Sequence, residues 1–229
     1  MKYNPKTNER QAAQPGFAAA HPMLPPNLSQ GVLKLMYDLE RFLVEITGMD
    51  AATLQPAAGA HGELTGMLLF YAYHRSQGAP RSKIIVPDTA HGTNPASAAL
   101  CGYRPVPIKS NEKGVLAPED VADVMDEETA GIMVTNPNTL GLFEDNIKKI
   151  ADIVHAKGGQ VYMDGANMNA QVGLTSPAHI GADVCHLNLH KTFAIPHGGG
   201  GPGAGPIGVA SHLVEFLPTH PLVETGGIK

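Results

Sequence analysis

Five short apolar runs separated by stretches of helical spacing constrain this chain more than any other feature. They occupy residues 83–87 (KIIVP), 131–135 (GIMVT), 160–164 (QVYMD), 183–189 (DVCHLNL) and 206–211 (PIGVAS). Runs that are apolar with little alternation must bury both faces, and strands buried on both faces belong to parallel sheets covered by helices. A sixth strand is expected at 106–109. Between the strands the spacing predicts helices at 62–77, 94–102, 118–128 and 145–157. The clearest helix precedes them all, at 27–47, where Val32, Leu35, Leu39, Phe42 and Ile46 recur at steps of three and four. Asn27 or Ser29 is placed to cap its start, and Gly48 to supply a left-handed residue at its end. The reading is an α/β fold with a mainly parallel sheet flanked by helices. Residues 1–26, rich in Pro, Ala and Asn without periodicity, read as an extended N-terminal arm, and 27–229 as one large domain.

Composition enters as exclusion. Charged residues make up only 16% of the 229, too few for a coiled coil, while 26 Gly and 19 Pro do not suit a plain helical bundle. The formal charge is −5 with no basic stripe, so nucleic acid is not an expected partner. No apolar stretch is long enough to read as a membrane span, and the polar opening MKYNPKTNER has no leader-like apolar region. Cys101 and Cys185 form no CxxC pair; both sit in apolar surroundings and read as buried, reduced thiols of a cytoplasmic protein.

In an open α/β sheet, ligands bind beyond the carboxyl ends of the strands. The segments that follow the predicted strands are Asp88-Thr89-Ala90-His91-Gly92-Thr93-Asn94, Thr135-Asn136-Pro137-Asn138-Thr139, Asp164-Gly165-Ala166-Asn167 and His190-Lys191-Thr192. Lysine at a strand end can form a Schiff base when desolvation lowers its pKa, whereas an ordinary lysine rides a solvated helix face. Asp164 has two readings, a helix cap or a carboxylate that holds a protonated ring nitrogen. Ala166 is small enough to admit a flat ring. His91 is suited to stacking on such a ring or to proton transfer, or is a satisfied polar residue. Gly59-Ala60-His61-Gly62 precedes a helix, and its free N–H groups suit a phosphate. There are 11 His, but no HExxH and no Cys/His zinc spacing, and no metal site is expected.

Taken together, LERFLVEITGMD at 39–50, LQPAAGAHGE at 54–63, AHGTNPASA at 90–98, MDGANMNA at 163–170 and HLNLHKTFAIPHGGGGPGAGPIGV at 186–209, with MKYNPKTNE at 1–9, resemble the P-protein family of the glycine cleavage system. These are glycine dehydrogenases (decarboxylating), oxidoreductases that use pyridoxal 5'-phosphate; the likeness is nearest to the second subunit of the two-subunit bacterial form. The resemblance implies the large domain of a fold type I pyridoxal-phosphate-dependent transferase. Position by position, it implies that Lys191 carries the cofactor, Asp164 pairs with the pyridine nitrogen, and Ala166 and His91 lie on opposite ring faces. It implies that Gly59, Ala60 and His190 bind the phosphate and that Thr139 hydrogen-bonds nearby. Ala58 stands where the longer single-chain relatives place Ser, which removes one hydroxyl donor. Segment 198–205 would be a mobile loop near the site. The implied partners are glycine, the lipoyl arm of the H-protein, P-protein subunit 1 and further copies in an oligomer. Lys191 or His91 would move protons. Family members are longer, so the chain is expected to be a large domain without its small C-terminal domain. Alternatives are another fold type I reaction, a non-catalytic assembly domain and, for the Gly/His-rich stretch, a metal-binding protein.

Overall fold

In the computed structural model, which describes residues 4–21, 23–199, 201 and 203–218, a seven-stranded sheet organises the chain. The strands are β1 (Ala51–Thr53), β2 (Lys83–Pro87), β3 (Arg104–Ile108), β4 (Thr129–Thr135), β5 (Gln160–Gly165), β6 (Val184–Leu187) and β7 (Ile207–Val209). Their spatial order is β1-β7-β6-β5-β4-β2-β3. The β3, β2, β4, β5 and β6 ladders are parallel, and β7 runs antiparallel to both β6 and β1. The helices are α1 (Lys6–Ala12), α2 (Pro15–Ala18), α3 (Gln30–Thr47), α4 (Gly59–Ser76), α5 (Thr93–Leu100), α6 (Pro118–Val124) and α7 (Ile147–Ala156).

The central strands are apolar on both faces because both faces are covered. Along β2, Ile84 and Val86 join one core cluster and Ile85 the other. Tyr162 and Met133 face α4 with Met67 and Phe70, whereas Val161, Met163, Ile132 and Val134 face α7 with Ile150 and Val154. The period of two is present, but apolar residues at both phases hide it in the sequence. Strand β3 tolerates Pro105 and Pro107 because it is an edge, where a missing N–H costs no second ladder.

Several expectations need correction. The arm at 1–26 is not extended throughout: Pro5 precedes α1, and Pro15, at the first position of α2, supplies a helix-ready φ. Neither helix buries a residue. In α3 the predicted stripe is only partly the buried one. Leu43 and Thr47 are buried and Leu39 packs against the core cluster that holds Leu43, while Leu35 and Phe42 are 56% and 64% exposed. The helix is apolar around much of its girth, so spacing could not tell which side meets the sheet. Its start uses no side-chain cap; the Ser29 hydroxyl turns back to the Pro25 and Pro26 carbonyls. Its end follows expectation, with Gly48 left-handed at φ 69°. Helix α6 stops at Val124, because Met125 swings into extended backbone and is buried. Cys185 is buried as expected, but Cys101 is only half-buried, at the turn that ends α5. Strand β1 is a three-residue strand whose AAT carries no pattern; its pairing with β7 makes it a strand.

Candidate active site

Helix α4 runs close beneath the sheet, and glycine makes that possible. A Cβ on Gly66 would lie 2.6 Å from the Tyr162 ring, and one on Gly62 would lie 2.8 Å from the His186 Cβ. Close approach carries the start of α4 to the carboxyl ends of the strands. There Gly59 packs against Asn188, whose Oδ1 would lie 2.5 Å from a Cβ at that position. Ala58 offers no side-chain cap, so the first-turn N–H groups of α4 are left for a ligand.

A cavity of about 710 Å³ opens at this point. Each of four neighbouring strands contributes from the loop beyond its carboxyl end. His91 and Thr93 follow β2; Thr135, Asn138 and Thr139 belong to β4 and its loop; Asp164, Ala166 and Asn167 end or follow β5; Asn188 and Lys191 follow β6. Gly59, Ala60 and Glu63 come from α4. Of the residues singled out in the sequence, Gly59, Ala60, His91, Thr139, Asp164, Ala166 and Lys191 line this one cavity. His190 does not line it: its ring lies against Gly203, and its Nδ1 accepts from the Ala204 N–H at 3.3 Å. Gly200 and Pro202 of the glycine-rich loop lie outside the described residues.

Asp164 is 3% exposed and held from three sides. Its Oδ1 accepts the Ala166 N–H at 2.9 Å, and Asn94 Nδ2 approaches Oδ2 at 3.5 Å. His186 Nε2 stands 3.4 Å from Oδ1, close enough for charge to matter but without hydrogen-bond alignment. Burial pushes the His186 pKa down, against the pull of Asp164, which favours the neutral ring. The Tyr162 hydroxyl, whose own pKa is raised chiefly by burial, pairs with His186 Nδ1. With the hydroxyl donating, His186 turns an N–H toward Asp164, although the two are not aligned for a hydrogen bond. Glu63, Asp164 and His186 are also the one group among the described residues whose donor atoms, within 4.8 Å of one another, suit a metal in type and distance. An N–H in place of a lone pair at His186 fits a carboxylate anchor better than a metal ligand.

Glu63 has no role in the sequence reading, although it stands four residues into α4, on the helix face toward the cavity. Burial raises its pKa most; the Thr93 hydroxyl bond lowers it, Asp164 raises it, and His91 and Lys191 lower it. Thr93 stands in a strand-end segment that the sequence offered without a role for it, whereas Asn188 fell inside the predicted strand 183–189 and is released from it because β6 ends at Leu187. The Thr139 hydroxyl donates to the Thr89 carbonyl at 2.5 Å and so ties two of the rim loops together. Lys191 is positioned by a turn in which its N–H donates to the Asn188 carbonyl at 2.9 Å.

The donor set suits a flat, phosphate-bearing ring. An uncapped helix start lies at one end, a buried carboxylate at another, a small residue on the wall and a lysine beside them. Asn188 Oδ1, Asn94 Oδ1, Thr135 Oγ1 and Glu63 Oε2 are buried without a protein partner, as in a site built to receive polar groups.

Comparison with known proteins points the same way. The family profile described as glycine cleavage system P-protein matches residues 3–223. A probable glycine dehydrogenase (decarboxylating) subunit 2 from Chloroherpeton thalassium is 59% identical over 224 residues, covering 98% of this chain and 45% of the relative. The chain thus spans about half the length of the curated relatives it matches. Among solved structures, a glycine decarboxylase (P-protein) of the glycine cleavage system in inhibitor-bound form superposes with a TM-score of 0.78 at 25% identity, covering 94% of this chain and 47% of that one. An aspartate aminotransferase from Thermus thermophilus superposes at 0.63 with 18% identity, covering 89% and 55%, and shares the fold. The architecture is that of the fold type I pyridoxal-phosphate enzymes.

Proposed function

This chain belongs to the glycine cleavage system P-protein family, and on that premise we propose that it is the cofactor-binding part of a glycine dehydrogenase (decarboxylating). One observation carries the reading: Lys191, Asp164, His91, Ala166 and the uncapped start of α4 meet around a single cavity although they come from four separate segments. Residues 27–229 form the large domain in this reading. Location is cytoplasmic in this reading; among the described residues no helix is long and apolar enough to cross a membrane.

The cofactor is pyridoxal 5'-phosphate, which when bound draws electron density from the substrate carbon and so permits loss of CO₂. Lys191 would hold it through Nζ and yield that position to the glycine amine. Asp164, held in place by the Ala166 N–H, would accept the pyridine N–H and keep that proton in place. Gly59 and Ala60 would give backbone N–H groups to the phosphate at the positive end of α4. Ala166 and His91 would bound the ring faces. The His190 ring has its Nδ1 bonded to Ala204 and lies off the cavity wall, so its phosphate role is the weakest assignment of the set. Glycine loses its carboxyl group as CO₂, and its aminomethyl carbon bonds one sulfur of the H-protein's oxidised lipoyl arm. The S–S bond breaks, and the second sulfur leaves as a thiol. The lipoyl disulfide is therefore the oxidant. P-protein subunit 1 and further copies complete the assembly.

The test is a visible absorbance titration with pyridoxal phosphate. A saturable band that disappears in Lys191→Ala, with the fold unchanged, is expected. A folded chain that shows no band, alone or with subunit 1, would sink the reading. Release of labelled CO₂ from glycine in the presence of lipoylated H-protein tests the reaction itself.

A further inference from the structure

Glu63 is 4% exposed, faces the cavity and has no partner for its Oε2. Its Oε1 accepts the Thr93 hydroxyl at 2.7 Å. The same hydroxyl oxygen lies 2.7 Å from His91 Nδ1. Three side chains, from α4, the start of α5 and the loop before it, thus form one line. A hydroxyl has a single proton. When that proton goes to the Glu63 carboxylate, the oxygen can meet Nδ1 only as an acceptor, so Nδ1 must carry the ring proton. The Thr93 N–H approaches the same Nδ1 at 3.3 Å and favours the opposite tautomer. The shorter chain, ending on a carboxylate, is the stronger of the two.

We propose that Glu63 is a positioning residue for His91: acting through the Thr93 hydroxyl, it holds the imidazole as the Nδ1–H tautomer and leaves the Nε2 lone pair open. Which nitrogen of a histidine is protonated is set by the hydrogen bonds the ring makes, and here the bond at Nδ1 is oriented by Glu63 through the Thr93 hydroxyl. The groups that face Glu63 are His91, Asp164 from β5, Tyr162 beneath it, His186 from β6 and Lys191. Its role is therefore open only to the ionised form: a neutral Glu63 would donate to Thr93, reverse the chain and place the proton on Nε2. An Nε2 lone pair would let His91 take a proton from a bound substrate; that consequence rests on the function proposed above, but the tautomer itself does not.

The experiment is nitrogen-15 NMR of histidine-labelled full chain, free of cofactor, at about pH 8, where an imidazole is neutral. His91 is assigned by the signal missing in His91→Gln, and two-bond N–H couplings report which nitrogen is protonated. The parent is expected to show Nδ1–H. Glu63→Met and Thr93→Val should each convert His91 to Nε2–H, and Thr93→Ser should restore Nδ1–H. A purely structural role for Glu63 would leave the tautomer unmoved. An Nε2–H parent, or an Nδ1–H signal that survives in folded Glu63→Met, overturns the proposal. If Glu63→Met does not fold, survival of Nδ1–H in Thr93→Val overturns it. Because no cofactor is present, failure to bind pyridoxal phosphate leaves this result standing, and a wrong tautomer overturns the proposal even where the cofactor binds.

Discussion

Replacing Gly66 by Ala adds one methyl group, and the structure sets the sign of its effect. The new Cβ would lie 2.6 and 2.7 Å from the two nearest carbons of the Tyr162 ring and 3.3 Å from Val184 Cγ1. Carbon atoms rest at about 3.5–4.0 Å, so the overlap is close to 1 Å. The ring cannot swing aside, because Tyr162 is fully buried and its hydroxyl is tied to His186. Overpacking of this kind costs about 1–3 kcal/mol. Alanine returns about 0.5–1 kcal/mol through helix propensity. An overlap near 1 Å against a fixed ring belongs to the upper half of that cost, about 2–3 kcal/mol, so the net is a loss of about 1–2.5 kcal/mol, or a fall in Tm of roughly 2–10 °C for a chain of this size. Gly31→Ala is the control: that glycine is also helical, with nothing within 4 Å of its Cβ position. Only the propensity gain applies there, so Tm should rise by up to about 3 °C. Thermal unfolding followed by circular dichroism reads both. If Gly66→Ala matched or exceeded the parent, the close approach of α4 to β5 would be wrong, and with it the placement of the site. The strain also reaches Asp164 through Tyr162 and His186, so weaker cofactor binding should accompany the lower Tm.

Two further outcomes follow from other parts of the molecule. The Asp183 carboxylate accepts from His155 Nε2 at 2.7 Å, and this bond, more than any other cause, raises the His155 pKa. A raised folded pKa means that the stabilisation is complete below the ordinary value of about 6.5 and lost as pH rises through the folded one. Denaturant unfolding should therefore separate the parent from His155→Gln most at mildly acidic pH and least in alkali; a gap that widened with pH would contradict the ion pair. Burial pushes the Cys101 thiol up to about 11 and, aided by Asp164, raises Cys185 further. At pH 8 roughly one Cys101 in a thousand is then thiolate. Alkylation followed by mass spectrometry should find slow labelling at Cys101, none at Cys185 in the native chain, and both labelled in denaturant. Fast native labelling of Cys185 would place that strand at the surface.

What the sequence determined by itself is what depends on neighbours in the chain. The apolar runs at 83–87, 131–135 and 160–164 are too short for buried helices and too continuous for one-sided strands, so they read as strands covered on both faces. Gly48 had to end α3, because a left-handed turn needs it. The strand ends named Asp164 and Lys191, and the start of α4 named Gly59 and Ala60, because a parallel sheet sends its ligands to one edge whatever the details. Tertiary structure alone decided what depends on distance across the fold. Which side of α3 is buried could not be read, because Leu35 and Phe42 are as apolar as Leu43 and only the position of the sheet separates them. Strand β1 exists because β7 pairs with it. His186 lies within a predicted strand and has no role in the sequence reading; contact with Tyr162 and Asp164 makes it part of the site. Glu63 is written in the sequence as an ordinary helix glutamate. Its chemistry comes from being buried beside Thr93, His91 and Asp164, residues that 28 to 101 positions of chain separate from it, and such proximity is created only by folding.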